Sequence, residues 1–131
     1  MRRLSFLALL SLSACTPHRE VTPDQVQALT KLTEVMDAQS TYADPLFKKR
    51  DQQSFTDAEF ASFVDVSARL QATSLKAKDF SKGPGFDALA VQLHDQAAAL
   101  GSAGQSKDAA AARQALTGMK STCKECHSKF R

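Results

Sequence analysis

Nine residues, Cys123-Lys124-Glu125-Cys126-His127-Ser128-Lys129-Phe130-Arg131, hold the pattern in this chain best suited to chemistry. Two cysteines three positions apart and followed by histidine, C-x-x-C-H, form the attachment signal for a c-type haem. Each thiol adds across one vinyl group of the porphyrin, and the adjacent imidazole becomes an axial ligand to the iron. On a helix Cys123, Cys126 and His127 stand at i, i+3 and i+4, so all three project from one face. Three attachment points on one face can hold a rigid, flat cofactor against it. Only four residues follow His127, so the other contacts of the haem are expected upstream.

Other uses of these residue types fit less well. Structural zinc wants four ligands, usually from a second C-x-x-C or H-x-x-x-H pair, and the sequence has neither. A thioredoxin-like dithiol belongs at a helix N-terminus after a strand, whereas this one ends a helical pattern. His94, beside Leu93, reads as an edge-of-core histidine before it reads as a ligand, and His18 as solvated. No Ser-His-Asp, paired-carboxylate or phosphate-cradling arrangement stands out, so the chain is not expected to be an enzyme.

The opposite end reads as an address. Met1-Arg2-Arg3 is a short basic region, and Leu4 to Leu12 is apolar but too short to span a bilayer. It runs into Leu12-Ser13-Ala14-Cys15, which resembles the lipobox of bacterial lipoproteins. That resemblance implies a signal peptide of residues 1–14, removed by cleavage, and acyl chains on Cys15. Several chains on one residue exceed the two signals that stable anchoring needs. An ordinary secretory leader with a cysteine there by chance is the alternative. Either way export is expected, and the lipoprotein reading places the protein on the periplasmic side of a bacterial membrane. The three cysteines are then accounted for, one by lipid and two by haem, with no structural disulfide.

Composition narrows the classes further. About 117 residues remain after the leader, enough for one domain with a modest core. Loss of Arg2 and Arg3 lowers the formal charge from +3 to about +1, so nucleic acid is not an expected partner. The chain has no Trp and a single Tyr, Tyr42, which argues against a base-stacking platform.

Positioning those terminal residues falls to helices, since no segment reads as a strand. Residues 15–22 read as a lipidated tether and 23–131 as the folded unit. Thr22-Pro23-Asp24 is a helix start, with Thr as N-cap and Pro at the first position. Val26, Leu29, Leu32, Val35 and Met36 continue at helical spacing, and the helix is expected to end before Asp44-Pro45. Thr56-Asp57-Ala58-Glu59 opens a second helix carrying Phe60, Phe63, Val64, Ser67 and Leu70. Ser81-Lys82-Gly83-Pro84-Gly85 is a break. Phe86, Leu89, Leu93, Ala97 and Leu100 step by three and four, as in bundle packing. A last helix is expected after Gly101-Ser102-Ala103-Gly104, with Ala109, Ala112, Leu116, Met119, Cys123, Cys126 and Phe130 on its inner stripe. That stripe puts the haem cysteines at core positions, as a cofactor inside a bundle requires.

Four helices with a C-terminal C-x-x-C-H resemble the class II cytochromes c, the cytochrome c prime family. The ending from Cys123 to Arg131 matches the family's C-x-x-C-H-x-x-[FY]-R, and helix number and order agree over residues 23–131. The resemblance implies an all-α, left-handed antiparallel four-helix bundle with one covalent haem c. It implies Cys123 and Cys126 as thioether sites and His127 as proximal iron ligand, and it admits a homodimer. Class I cytochromes c, with the haem motif near the N-terminus and a Met ligand downstream, do not fit. Relatives commonly carry an Arg-Gln pair on the first helix, where this chain has Leu32-Thr33, so the propionates need other partners.

Among relatives the sixth iron position takes two forms, and the choice sets function. An apolar side chain from the first helix leaves the iron five-coordinate and open to nitric oxide or carbon monoxide. A Met in that place gives a six-coordinate electron carrier and favours ferrous iron. Counting back from Asp57 puts Met36 there; counting from Phe55 puts Val35 there. Met119 lies on the haem-bearing helix itself and cannot serve. The expected function is single-electron transfer by a membrane-anchored cytochrome, with redox proteins as partners and Lys120, Lys124 and Lys129 as a docking rim or plain solvated surface. Arg131 reads either as a charge near the iron or as a complement to the helix dipole. A gas-binding haem protein is the alternative, and a haemless lipoprotein interaction module a third.

Overall fold

A computed structural model describes residues 20–131; the leader, Cys15 and His18 lie outside the described residues. Among those residues there is no strand. Four long helices follow a short 3-10 helix at Pro23–Ala28: α1 Leu32–Phe47, α2 Asp57–Ala77, α3 Pro84–Ser106 and α4 Ala109–Phe130. A second 3-10 turn, Lys78–Phe80, extends the end of α2.

Side-chain pairings set the topology. Lys49, just after α1, meets Glu59 near the start of α2 at 2.5 Å, and Phe47 and Phe60 share one core cluster. Gly104, late in α3, lies against Phe60 and Phe63, early in α2. Phe86 at the start of α3 packs edge-on against Phe130 at the end of α4, with ring centroids 5.6 Å apart. Each helix therefore runs antiparallel to its predecessor, giving the expected four-helix bundle. Two apolar clusters fill it. The larger includes Leu46, Phe63, Leu70, Leu100, Leu116 and Met119. The smaller joins Val21, Val26, Leu29, Val35, Ala77 and Phe86, with Met36, Cys126 and Phe130 packed on it.

Two starts obey the sequence signals: Thr22 accepts from the Gln25 amide and Thr56 from the Glu59 amide, each an N-cap. Asp108, which the sequence pattern does not single out, caps α4 by accepting from the Ala111 amide. Two other expectations need correction. The first helix is not continuous: Leu29 is extended, and α1 starts afresh at Leu32. The Glu34 carboxylate accepts from the amides of Thr30 and Lys31 at 2.9 and 3.2 Å and so caps the new start. Periodicity hides this kink, because Val26, Leu29 and Val35 on either side of it bury into the same cluster.

Nor does α1 stop before Pro45, which lies inside its last turns. An interior proline costs about 3 kcal/mol. Continuing the helix buries Leu46 and Phe47 to 5% and 6% exposure, each worth roughly 1.5–3 kcal/mol. Packing wins. Likewise, Gly101 and Gly104 are no loop but sit within α3. A Cβ on Gly101 would collide with the Ser67 hydroxyl, and one on Gly104 would stand 2.7 Å from the Phe60 carbonyl oxygen. At both, α3 presses close against α2. The true link is Lys107 in the left-handed region at φ 53°, followed by the N-cap Asp108.

Candidate haem site

Of the adjacent helix pairs, α1 and α4 touch least. The gap between them opens into a narrow cleft of about 30 Å³. Thr122, Cys123, Cys126 and His127 line it from α4, and Met36 and Gln39 from α1. Phe86, Leu89, Ala90 and Leu93 from α3, with Ala77 at the end of α2, complete an apolar wall. The structure thus brings together all four haem-site residues expected from the sequence that fall within residues 20–131.

Helical geometry places the α4 group. Positions 123, 126 and 127 fall on one face, as their spacing requires, and α4 runs unbroken through them to Phe130. Cys123 packs against the larger cluster and Cys126 against the smaller, so the two thiols straddle the boundary between them. His127 is exposed at the rim. Below them, buried Thr122 donates its hydroxyl to Gln96 on α3 at 2.9 Å, tying α4 to α3. At the end of the helix the Arg131 amide donates to the His127 carbonyl, and Lys82 donates to the carbonyl of Phe130 at 2.7 Å.

Burial pushes the Cys123 thiol up to about 11, helped by Cys126 and Asp44 and opposed by Lys120. Cys126 is also raised, again chiefly by burial, with Lys82 opposing. Both sulfurs therefore stay neutral at pH 7 against apolar walls, a setting suited to the edge of a porphyrin. Among the described residues no three His, Cys, Asp or Glu side chains group tightly enough to cage a single ion. The donors border a slot.

A family model described as Cytochrome C' matches residues 20–131. The chain belongs to the cytochrome c' family. It is 39% identical over 71 residues to a cytochrome c' of Pararhodospirillum photometricum, a stretch covering 54% of this chain and 57% of that relative. No solved structure matches it significantly.

Cytochromes c' carry covalent haem c, and haem c is the cofactor of this chain. The residues present fit that group: two thiols and an imidazole share one helical face and look into an apolar slot. On the opposite wall it is Met36 that lines the cleft, while Val35 is fully buried in the smaller cluster. The cleft-lining residue is thus the one reached by counting from Asp57. The kink ahead of Leu32 leaves Leu32 only partly buried and Thr33 exposed where relatives carry Arg-Gln.

The remaining sequence candidates stand apart from the cleft. His94 meets the Asp95 carboxylate at 2.9 Å on the outer side of α3. Lys129 pairs with Glu125 at 2.6 Å, Lys120 lies over the Phe47 ring, and Lys124 and Arg131 are exposed. Sequence reasoning passed over Gln39, Thr122 and Gln96. Gln39 had a signal: a polar residue on the apolar stripe Leu32, Met36, Ala43, Leu46. Thr122 and Gln96 had none, since their pairing joins two helices.

Proposed function

We propose that this cytochrome c' is an exported electron carrier. In it Cys123 and Cys126 hold the porphyrin through thioethers, His127 ligates the iron from α4, and Met36 supplies the opposite face from α1. One observation carries the reading: Met36 and the Cys123–Cys126–His127 group line a single cleft from two facing helices. The haem supplies the one-electron chemistry. The chain's own residues bind, orient and shield. The two cysteines would hold the macrocycle by its edge, and Phe86, Leu89 and Leu93 would keep water from the slot. Met36 brings a thioether, a soft ligand that favours the ferrous state. No residue is assigned a catalytic role.

Cys15 would anchor the chain on the periplasmic side of a bacterial membrane, where redox proteins exchange electrons with it. The exposed lysines around α4 would form the docking rim for an acidic partner. The second reading is a five-coordinate haem protein binding nitric oxide or carbon monoxide. It is favoured by the small space, about 30 Å³, beside a Met36 that is only half-buried.

A visible spectrum of protein matured in a host with a haem-attachment system tests this proposal. Haem that survives acid-acetone extraction, and is lost in the Cys123→Ser/Cys126→Ser double variant, supports it. A low-spin ferric spectrum with a sulfur-to-iron band supports the carrier; a high-spin one supports gas binding. Freely extractable haem overturns the attachment.

A further inference from the structure

Five polar residues are buried among the described residues: Gln39, Ser67, Thr73, Ser74 and Thr122. Four are satisfied. Ser67 accepts from Gln71, Thr73 and Ser74 donate to carbonyls of their own helix, and Thr122 donates to Gln96. Gln39, at 9% exposure, makes no hydrogen bond to any described residue. Its amide atoms are not sealed from solvent, since Asp87 Oδ1 is the one fully buried, unpaired side-chain atom among the described residues; they open toward the cleft instead. Gln39 also lines the cleft, one helical turn beyond Met36 on the same face of α1. The group is therefore a donor and acceptor waiting inside the cofactor slot, on the wall opposite His127.

We propose that Gln39 is the hydrogen-bonding residue for a small polar ligand, water or a diatomic gas, held between α1 and the haem face. The inference rests on the haem reading above and adds a specificity determinant to it. The porphyrin face itself offers the amide no strong acceptor. A charged propionate would call for a cation, and no Lys or Arg lines the slot beside Gln39. A small molecule with an electronegative atom meets both requirements: it fits beside Met36, and it pairs with an N–H. Such a molecule would be retained in preference to a purely apolar occupant of equal size.

The test uses haem-loaded protein in two backgrounds, wild type and Met36→Ala, so that a coordinated thioether cannot mask the site. Carbon monoxide serves as the probe on ferrous protein, read by the infrared C–O stretch. Gln39→Leu is expected to raise that stretch, because the N–H dipole facing the ligand is lost. It should weaken carbon monoxide binding about three- to tenfold, the worth of one neutral hydrogen bond. Gln39→Met, unbranched and of similar length, repeats the comparison should leucine not pack. A crystal structure of gas-free loaded protein is the second arm, in which a water on the Gln39 amide identifies water as the occupant. A shifted stretch or that water supports the proposal. An unchanged stretch in Met36→Ala/Gln39→Leu, with no water on the amide, overturns it. Loss of covalent haem in the wild type would instead defeat the attachment reading, and the extraction assay detects that separately.

Discussion

Met36 and His127 border one cleft from the first and last long helices, while Val35, the neighbour of Met36, is wholly buried in the core behind it. One residue of register separates a thioether lining the cleft from an aliphatic side chain in the core. The break at Leu29–Lys31 fixes that register, since α1 starts at Leu32 under the cap of Glu34. Met36→Ala therefore tests the sixth position directly. If Met36 ligates, the variant becomes high-spin, binds carbon monoxide faster and has a lower potential, because a ligand favouring ferrous iron is gone. A wild type that is already high-spin, with the variant leaving its spectrum unchanged, would reduce Met36 to packing.

Two glycines give opposite expectations for the same substitution. Gly104→Ala gains about 1 kcal/mol in helix propensity but drives a methyl to 2.7 Å from the Phe60 carbonyl oxygen and 3.2 Å from the Phe63 Cβ. Backbone cannot step aside as a side chain can, so α2 and α3 must part. A net loss of about 1–3 kcal/mol is expected. In Gly118→Ala the new methyl meets the amide of Gln96 at 3.0 Å, the end of a flexible side chain. That variant should stay within about 1 kcal/mol of wild type. Urea unfolding of both, followed by circular dichroism, would show the contrast; equal stabilities would remove the close α2–α3 contact from the account.

In chain matured without haem, Cys123 should titrate as a buried thiol. Its folded value is raised from 9.0 to about 11, so between those values the unfolded chain binds fewer protons than the folded one. Unfolding free energy then falls as pH rises through that window. The contribution is fully present below pH 9 and lost above about 11. Alkylation should follow the same curve, with Cys123 reacting at pH 9 more slowly than a small free thiol. Haem-loaded protein, its sulfurs held as thioethers, should show neither effect. Alkylation of Cys123 at the free-thiol rate at pH 9 would remove this protection.

The sequence shows the α4 face in full, because C-x-x-C-H fixes three side chains by helical spacing alone. It shows the starts at Thr22 and Thr56, where a capping side chain marks them, and misses Asp108, because the glycine pair before it looks like a loop. Gly101 and Gly104 mislead because a small residue demanded by a facing helix is indistinguishable, in one sequence, from a helix breaker. Pro45 misleads for the reverse reason: the burial of Leu46 and Phe47 that outweighs it is a tertiary gain. The distal wall is half legible. Met36 stands out by type, but its choice over Val35 needs the kink, and the isolation of Gln39 needs every neighbouring side chain.

The N-terminal segment supports a last prediction, on anchoring. Val21, ahead of the expected boundary at 23, is already packed: its amide donates to the Tyr42 hydroxyl, which donates back to its carbonyl at 3.0 Å. Arg69 donates to the same carbonyl and to Tyr42, with Asp65 holding its guanidinium. A lipid on Cys15 would thus be joined to the bundle through a few residues ending at a clamp. Cys15→Ser should move the mature protein from the membrane to the soluble fraction with its haem spectrum unchanged. Tyr42→Phe should leave both anchor and spectrum intact. It strands the Val21 amide, lowering stability by about 1–3 kcal/mol and exposing the segment before Val26 to limited proteolysis. Release of a shortened, haem-bearing chain from membranes by protease, faster in Tyr42→Phe than in wild type, is the expected result. Wild-type protein that is soluble, unacylated and cut elsewhere would rule out the anchor while leaving the clamp and the haem site as they stand.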